Sequence, residues 1–322
     1  MNYRKILAPV FILAICLTVI SCSSDNDSDL IADLPDEEII DDDPQDSTTD
    51  DTTSDDTTSD EPLDAIVLTN VSYGNNPEQV YDLYLPEGRE ASRTKVVVLI
   101  HGGGWTSGDK VDMAPFVQCF LENHPDYAIL NLNYVLAQIT GPAAFPNQYI
   151  DIQTALNQVI NQSQELEILP EFGFLGTSAG AHLAMMYDYT YDEDDLVKFV
   201  INIVGPSDLT DPFFSDDPNF AIALALLVDE SQFPDGTDYA VANSPALVAN
   251  ENSSPTFLFY GDQDPIVPLS NGQTLADNLE VLNIESSFTI YEGGHGDDWS
   301  TADVIDLGIK TTEAVNTYLA ID

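Results

Sequence analysis

Positive charge is what this chain of 322 residues has least of. Eight lysines and arginines stand against 56 aspartates and glutamates, a formal net charge of −48. No arginine occurs after Arg93. A field of that sign repels nucleic acid and other anionic polymers, so a role on a phosphate backbone is excluded. Eighteen of the acids fall in residues 25–64, which leaves 38 acidic against 6 basic residues from Ala65 onward, a net of −32. That balance bears on solubility and partners rather than on fold. Cysteine is also scarce: Cys16, Cys22 and Cys119 are the three. If the first two belong to a leader and its processing site, Cys119 stands alone and no intrachain disulfide forms. The fold must then rest on its core. Histidine occurs four times, at 101, 124, 182 and 295, so any imidazole chemistry has few candidates.

The apolar run from Ile6 to Ile20 follows Arg4 and Lys5 and is too short to span a membrane permanently. It ends in Val19-Ile20-Ser21-Cys22. This resembles a bacterial lipobox, with a small residue before a cysteine, and implies a signal peptide over 1–21 and a lipid on Cys22. Cys16 is the rival, but Ile15 before it is a poor cleavage residue. The plainer alternative is an ordinary signal peptide with an incidental cysteine. Ser23-Ser24-Asp25-Asn26-Asp27 comes next. It resembles the surface-export signal of Bacteroidetes lipoproteins, which implies an outer-membrane lipoprotein exposed at the cell surface.

Residues 23–64 have no aromatics, few large apolar side chains and many aspartates. Too little surface can be buried to offset the ordering entropy, so a disordered acidic linker is expected over 22–64. Asp50-Asp51-Thr52-Thr53-Ser54 repeats intact at 55–59, which is low complexity rather than a structural repeat. Asp46-Ser47-Thr48, Asp51-Thr52-Thr53 and Asp56-Thr57-Thr58 resemble Bacteroidetes O-glycosylation acceptors, which implies a glycosylated spacer. The bland reading is an acidic spacer with hydroxyls.

From Ala65 the composition turns globular, and the remaining length suits one large α/β domain. Ile66-Val67-Leu68 and Tyr81–Leu85 read as an antiparallel start. Lys95–Ile100 is a continuous β-branched run, as a buried strand requires. Helices over 113–122, 150–159, 272–281 and 302–319 alternate with strands over 127–132, 172–175, 199–204, 256–260 and 288–291. That rhythm predicts a mostly parallel sheet with helices on both faces. Residues 205–254 break it and read as a cap or insertion, with Asp211-Pro212-Phe213-Phe214 and a helical 220–228.

Gly176-Thr177-Ser178-Ala179-Gly180 is a G-x-S-x-G sequence between an apolar strand and a helix-forming run. Strand, sharp turn and helix is the setting that projects a serine Oγ and puts the next N–H, that of Ala179, at a helix N-terminus. The pattern alone is weak, and three further stretches support it. His101-Gly102-Gly103-Gly104-Trp105 follows a buried strand, and its glycines let the Gly103 and Gly104 N–H groups turn inward as oxyanion donors. A phosphate loop is disfavoured because no Gly-Lys-Ser/Thr follows. Asp262 and Asp264 end one later strand, and His295, among glycines, ends the next. Serine, aspartate and histidine in that chain order form the set for acyl transfer: His295 moves the proton and the aspartate orients it.

Residues from about 65 to 322 thus resemble the α/β-hydrolase superfamily. His-Gly-Gly-Gly-Trp, Tyr-Asp-Leu-Tyr-Leu-Pro at 81–86 and Gly-Pro-Ser-Asp-Leu-Thr at 205–210 are similar to its carbohydrate-esterase-like branch, which includes feruloyl and acetyl esterases, and the first also to the hormone-sensitive-lipase-like branch. The resemblance implies a serine carboxylester hydrolase with Ser178, Asp264 and His295 catalytic, and neither metal nor organic cofactor. Asp264 is preferred to Asp262 because Gly-x-x-Asp-x-x-Val-Pro falls on Gly261, Asp264, Val267 and Pro268. One departure is Val135 after Tyr134, where many relatives carry arginine and an ion pair.

His182, one turn after Ser178, is a second candidate base; a core polar group is the expectation, because the helix axis carries it away from Oγ. His101 is expected to hold its loop, His124 to lie at the surface and Cys119 in the core. Trp105 is expected at the substrate, with Phe213 and Phe214 over the acyl side. The partners implied are a small or polysaccharide-linked ester, preferably neutral with a short or flat aromatic acyl group, and a membrane through the lipid. The alternatives are a serine peptidase of the same fold and a surface-binding lipoprotein that has lost the chemistry.

Overall fold

A computed structural model describes residues 62–321. The leader, Cys22 and the linker as far as Glu61 lie outside the described residues. Eight strands form one sheet: β1 (Ile66–Ser72), β2 (Val80–Leu85), β3 (Val96–Ile100), β4 (Ala128–Leu132), β5 (Phe172–Thr177), β6 (Val197–Ile203), β7 (Thr256–Gly261) and β8 (Ser286–Tyr291). The helices are α1 (Ala114–Asn123), α2 (Asn147–Asn161), α3 (Ser163–Leu166), α4 (Ala179–Tyr191), α5 (Pro212–Ser215), α6 (Phe220–Leu227), α7 (Tyr239–Ala242), α8 (Pro245–Val248), α9 (Leu269–Leu282) and α10 (Thr301–Tyr318). The spatial order is β1-β2-β4-β3-β5-β6-β7-β8. β2 runs antiparallel to β1 and β4, and every other pairing is parallel.

The continuous apolar run at β3 has its reason in the layers. All five residues are buried, and successive ones face opposite sides. Val96, Val98 and Ile100 join the core made with α2, α4 and α9. Val97 and Leu99 join the one made with α1 and α10. Each such side chain stabilises the fold by roughly 1.5–3 kcal/mol. A strand covered on both faces has no polar positions to give.

Register then positions the site. Ile100 lies beside Gly176, Thr177 beside Ile203, Ile203 beside Phe259 and Gly261 beside Tyr291. β3, β5, β7 and β8 therefore end along one edge of the sheet. The loops that leave them carry His101–Trp105, Ser178, Asp264 and His295. The carboxyl edge of a parallel sheet is where such folds gather their functional loops.

The start of the domain is pinned slightly earlier than composition suggests. The Leu63 carbonyl accepts from the Gly88 N–H at 2.8 Å, and the Asp64 carbonyl from Arg89 Nη1 at 2.5 Å. Two side-chain expectations are corrected. Cys119 is exposed, because the buried stripe of α1 runs through Val117 and Phe120 and leaves position 119 outside it. His124 is buried, packed on the Phe120 and Tyr127 rings, with Nε2 3.2 Å from Thr312 Oγ1. At the departure noted after Tyr134, the Val135 N–H donates to buried Asp151 at 2.8 Å. Gln79 Nε2 donates to its other oxygen at 2.8 Å. Neutral donors serve this carboxylate, and burial raises its pKa.

Candidate active site

β5 passes into α4 through Ser178 alone. Its backbone, at φ 50° and ψ −121°, lies where non-glycine residues are strained by about 1–3 kcal/mol. The tightness of the turn explains the strain. A Cβ on Gly180 would stand 2.2 Å from the Ile100 carbonyl oxygen and 2.3 Å from that of His101. Only glycine lets α4 start this close to β3. The turn leaves the Ala179 N–H at the start of α4, where the helix dipole favours negative charge.

The β3 loop lies directly against this turn. Gly103, at φ +117°, and Gly104, at φ +59°, take backbone conformations natural to glycine. Trp105 follows at φ +64°, unusual for a bulky side chain. Among the described residues, the Gly103, Gly104 and Ala179 N–H groups meet no backbone or side-chain acceptor. His101 holds the loop, as expected. Its buried ring stacks on Tyr134, with centroids 4.4 Å apart, and Tyr134 Oη donates to the His101 carbonyl at 3.0 Å.

The three candidates separated by 117 positions meet here. Ser178 Oγ lies 2.8 Å from His295 Nε2. His295 Nδ1 lies 2.7 Å from Asp264 Oδ2. The other carboxylate oxygen, Asp264 Oδ1, accepts from the Ile266 and Val267 N–H groups at 2.7 and 3.0 Å. The Asp264 side chain is fully buried, while that of His295 keeps 18% of its surface exposed. A fixed, hydrogen-bonded carboxylate sets the imidazole so that Nδ1 carries the proton and Nε2 is free to accept from the serine. That is the geometry for turning a hydroxyl into a nucleophile.

Asp262 has a different place. Its Oδ1 accepts from the Gly293 N–H at 3.0 Å, so it braces the histidine loop. Asp298 Oδ1 does the same from the Gly294 N–H at 2.7 Å. Trp299 Nε1 donates to the Gly294 carbonyl at 3.3 Å. Sequence reasoning missed these struts. The only signal was the pair of glycines before His295, which leave a loop with no side chains of its own to hold it.

His182 does not approach the serine hydroxyl. It is fully buried, with Nε2 2.8 Å from the Asn243 carbonyl and Nδ1 accepting from Trp105 Nε1 at 3.2 Å. Burial lowers its pKa to about 4, so the ring is neutral. Trp105 is partly exposed and set edge-on to Phe145 and to His182. Phe213 is half exposed and meets Phe214 edge-on, and Phe214 stacks on Phe220 of α6. Among the described residues, no cluster of three or more His, Cys, Asp or Glu side chains has the arrangement to hold a metal ion.

Comparisons with known proteins agree with this architecture. The BD-FAE family model matches residues 81–279. The chain is 27% identical over 324 residues to the non-reducing polyketide synthase ausA of Aspergillus calidoustus, an alignment of 73% of this chain and 13% of the synthase. It is 21% identical over 225 residues to Esterase LipC of Mycobacterium tuberculosis, across 66% of this chain and 55% of the esterase. The chain thus spans only a part of these curated relatives. Among solved structures, a truncated carbohydrate esterase from gut microbiota superposes with a TM-score of 0.64 at 21% identity, covering 78% of this chain and 97% of that one. The match covers nearly that whole structure and shows the α/β-hydrolase fold. A family model that spans the glycine loop after β3, the Ser178 turn and Asp264 decides the kinship: this chain is a member of the BD-FAE family.

Proposed function

We propose that the protein is a serine carboxylester hydrolase acting through an acyl-enzyme. The observation that carries the reading is the unbroken line from Ser178 Oγ to His295 to buried Asp264, at 2.8 and 2.7 Å. Ser178 Oγ attacks the ester carbonyl carbon while its proton passes to His295 Nε2. The carbonyl oxygen, now negative, takes hydrogen bonds from the Gly103, Gly104 and Ala179 N–H groups. Such donors are typically worth 100- to 1000-fold each in rate, about 2.7–4 kcal/mol. The tetrahedral species collapses, the carbon–oxygen bond to the alcohol breaks, and His295 protonates the leaving alkoxide. Water then enters, gives a proton to His295 and attacks the acyl carbon. The acid departs and Ser178 regains its proton.

The substrate is read as a neutral ester with a short or flat aromatic acyl group, including acetyl or feruloyl groups on polysaccharide. Supporting this are the Trp105 ring beside the oxyanion glycines, the Phe213–Phe214–Phe220 cluster of the insertion and the net negative charge of the domain. The deciding experiment is a p-nitrophenyl ester series from C2 to C12 with a feruloyl ester, run on the wild type and on Ser178→Ala. A folded Ser178→Ala protein should lose at least about 1000-fold in kcat. Near-normal turnover by that variant removes the serine mechanism. A kcat/KM that climbs steadily to C12 replaces the short-acyl reading with an open lipase groove. Anchoring through Cys22 belongs to the same proposal. Cys22→Ala should move the protein from the membrane pellet to the soluble fraction of its host, and an unchanged distribution removes the anchor.

A further inference from the structure

Trp105 is over-held for a residue on a glycine loop. Its carbonyl accepts from the Ala137 N–H at 2.9 Å and from Gln148 Nε2 at 2.8 Å. Its ring meets Phe145 edge-on, with centroids 5.4 Å apart. Its indole N–H donates to His182 Nδ1 at 3.2 Å. A bulky residue in the left-handed region persists only where its surroundings fix it, and these contacts do so on both the backbone and the side-chain side. Trp105 directly follows Gly103 and Gly104 in the chain, so the two glycines and the anchored ring belong to one short loop.

The histidine that accepts the indole hydrogen bond is placed for that task. It sits one turn after Ser178 on α4, among Ala181, Leu183, Ala184, Met185 and Met186, all buried. An aliphatic side chain would fill such a position without needing partners. A buried imidazole is tolerated only when both nitrogens are satisfied, and here each has one partner. The Asn243 carbonyl can only accept, so Nε2 carries the hydrogen. Nδ1 is then necessarily the acceptor that the indole requires. Asn243 is itself fully buried, with Oδ1 accepting from Tyr149 Oη at 3.0 Å and Nδ2 donating to the Tyr239 carbonyl at 2.9 Å. Burial also depresses the basicity of His182, which keeps the ring in the one form that fits.

We propose that His182 is a positioning residue for the oxyanion loop: the 205–254 insertion, through the Asn243 carbonyl, locks its tautomer, and the locked Nδ1 holds the Trp105 indole and so aims the Gly103 and Gly104 N–H groups. The two imidazoles near Ser178 then divide the work. His295 moves protons, while His182 stays neutral near pH 7 and transmits the position of the insertion to the oxyanion donors. The role rests on the ester-hydrolase reading above.

The test uses the full chain and the variants H182L and H182N. Leucine removes the acceptor; the Oδ1 of asparagine can stand where Nδ1 stood. Competent sites are counted with a p-nitrophenyl phosphonate, which labels the active serine, so that kcat is expressed per site. H182L should lose roughly 10- to 100-fold in kcat per site with KM within about threefold of wild type, a fraction of the effect of deleting one oxyanion donor. H182N should recover to within about threefold. The indole is read separately. The chain has only two tryptophans, so subtracting the W105F spectrum in each background isolates Trp105 emission. That emission should shift to the red in H182L and stay in place in H182N.

A kcat per site in H182L within twofold of wild type overturns the proposal. So does an equal loss in both variants, which marks a packing role alone. If H182L does not fold, H182N and W105F carry the test: W105F should reproduce the loss, and W105F/H182N should add nothing to it. Additive losses there overturn the coupling. A wild type that neither turns over esters nor takes up the phosphonate defeats the ester-hydrolase reading instead. The Trp105 emission still decides whether His182 holds the indole.

Discussion

The two sides of Ser178 are built from the same side chain and opposite surroundings. On one side, His295 stands on a glycine loop at the end of β8, partly exposed and backed by a carboxylate. On the other, His182 stands inside α4, buried and backed by a carbonyl and an indole. A carboxylate partner fixes the first ring with Nε2 towards the Ser178 hydroxyl, the orientation that the proposed proton transfers need. A carbonyl and an N–H donor suit only one neutral tautomer, so the second ring is fixed. Distance from the nucleophile in sequence is a poor guide. The histidine four residues away touches an indole and a backbone carbonyl, and the one 117 residues away touches the hydroxyl.

The largest effect should separate these two rings. His295→Ala is expected to cost about 1000- to 10,000-fold or more in kcat, since removing one member of such a set disables the whole. His182→Ala should cost one to two orders of magnitude and lower Tm as well, because it leaves the Trp105 N–H and the Asn243 carbonyl without partners. Steady-state kinetics of both variants on p-nitrophenyl acetate make the comparison. If His182→Ala abolishes turnover while His295→Ala spares it, the roles are reversed.

A smaller contrast lies within the acid loop. Asp264→Asn should drop kcat by about 1000-fold or more while leaving KM nearly unchanged, since the imidazole loses the partner that fixes its tautomer. Asp262→Asn should cost no more than about tenfold. Its carboxylate braces Gly293 from an exposed position, and an amide oxygen can still accept that N–H. Equal losses in the two variants would mean that the loop, rather than the carboxylate at His295, carries the effect.

How much of this was legible follows the same division. The exposed side of the site is written in short stretches. A serine turn needs glycines within two residues, an oxyanion loop needs them in a row, and both leave a mark on sequence. Asp264 could be told from Asp262 only through the resemblance, whose Gly-x-x-Asp-x-x-Val-Pro pattern falls on Gly261, Asp264, Val267 and Pro268. The eight strands and the long helices were legible from buried runs and their alternation. The buried side of the site had no such mark. α4 is covered on every side, so it shows no periodicity that would place His182 in any direction. Its two partners lie 77 and 61 residues away. Cys119 and His124 went astray for a related reason: one helix phase, and one tertiary contact to Thr312 of α10, decided their burial.

The smallest effect tests the buried side by stability instead of rate. α4 also carries Asp188, less than two turns beyond His182 and buried like it. Its Oδ2 accepts from the Ser254 N–H at 3.0 Å, and its Oδ1 lies 2.8 Å from Ser254 Oγ, which reaches the Val197 carbonyl at 2.8 Å. Burial raises its pKa to about 8, from an ordinary carboxyl value of 3.8. Between those two values the folded chain holds a proton that the unfolded chain has released. Stability therefore falls as pH rises from about 4 towards 8, and the loss is complete above that. The protonated carboxyl donates to Ser254 Oγ and still accepts the Ser254 N–H. An asparagine amide at 188 can reproduce both bonds without a charge to bury. Asp188→Asn should match the wild type in Tm near pH 5 and exceed it by a few degrees near pH 8.5, with the gap widening through the interval. Thermal unfolding of both proteins at half-unit steps from pH 5 to 9 gives the difference curve. A constant offset across that range would mean that Asp188 is already ionised at pH 5 and that α4 does admit a bare buried charge. A gap that opens with pH would place Asp188 beside His182, as a second titratable group that α4 holds neutral.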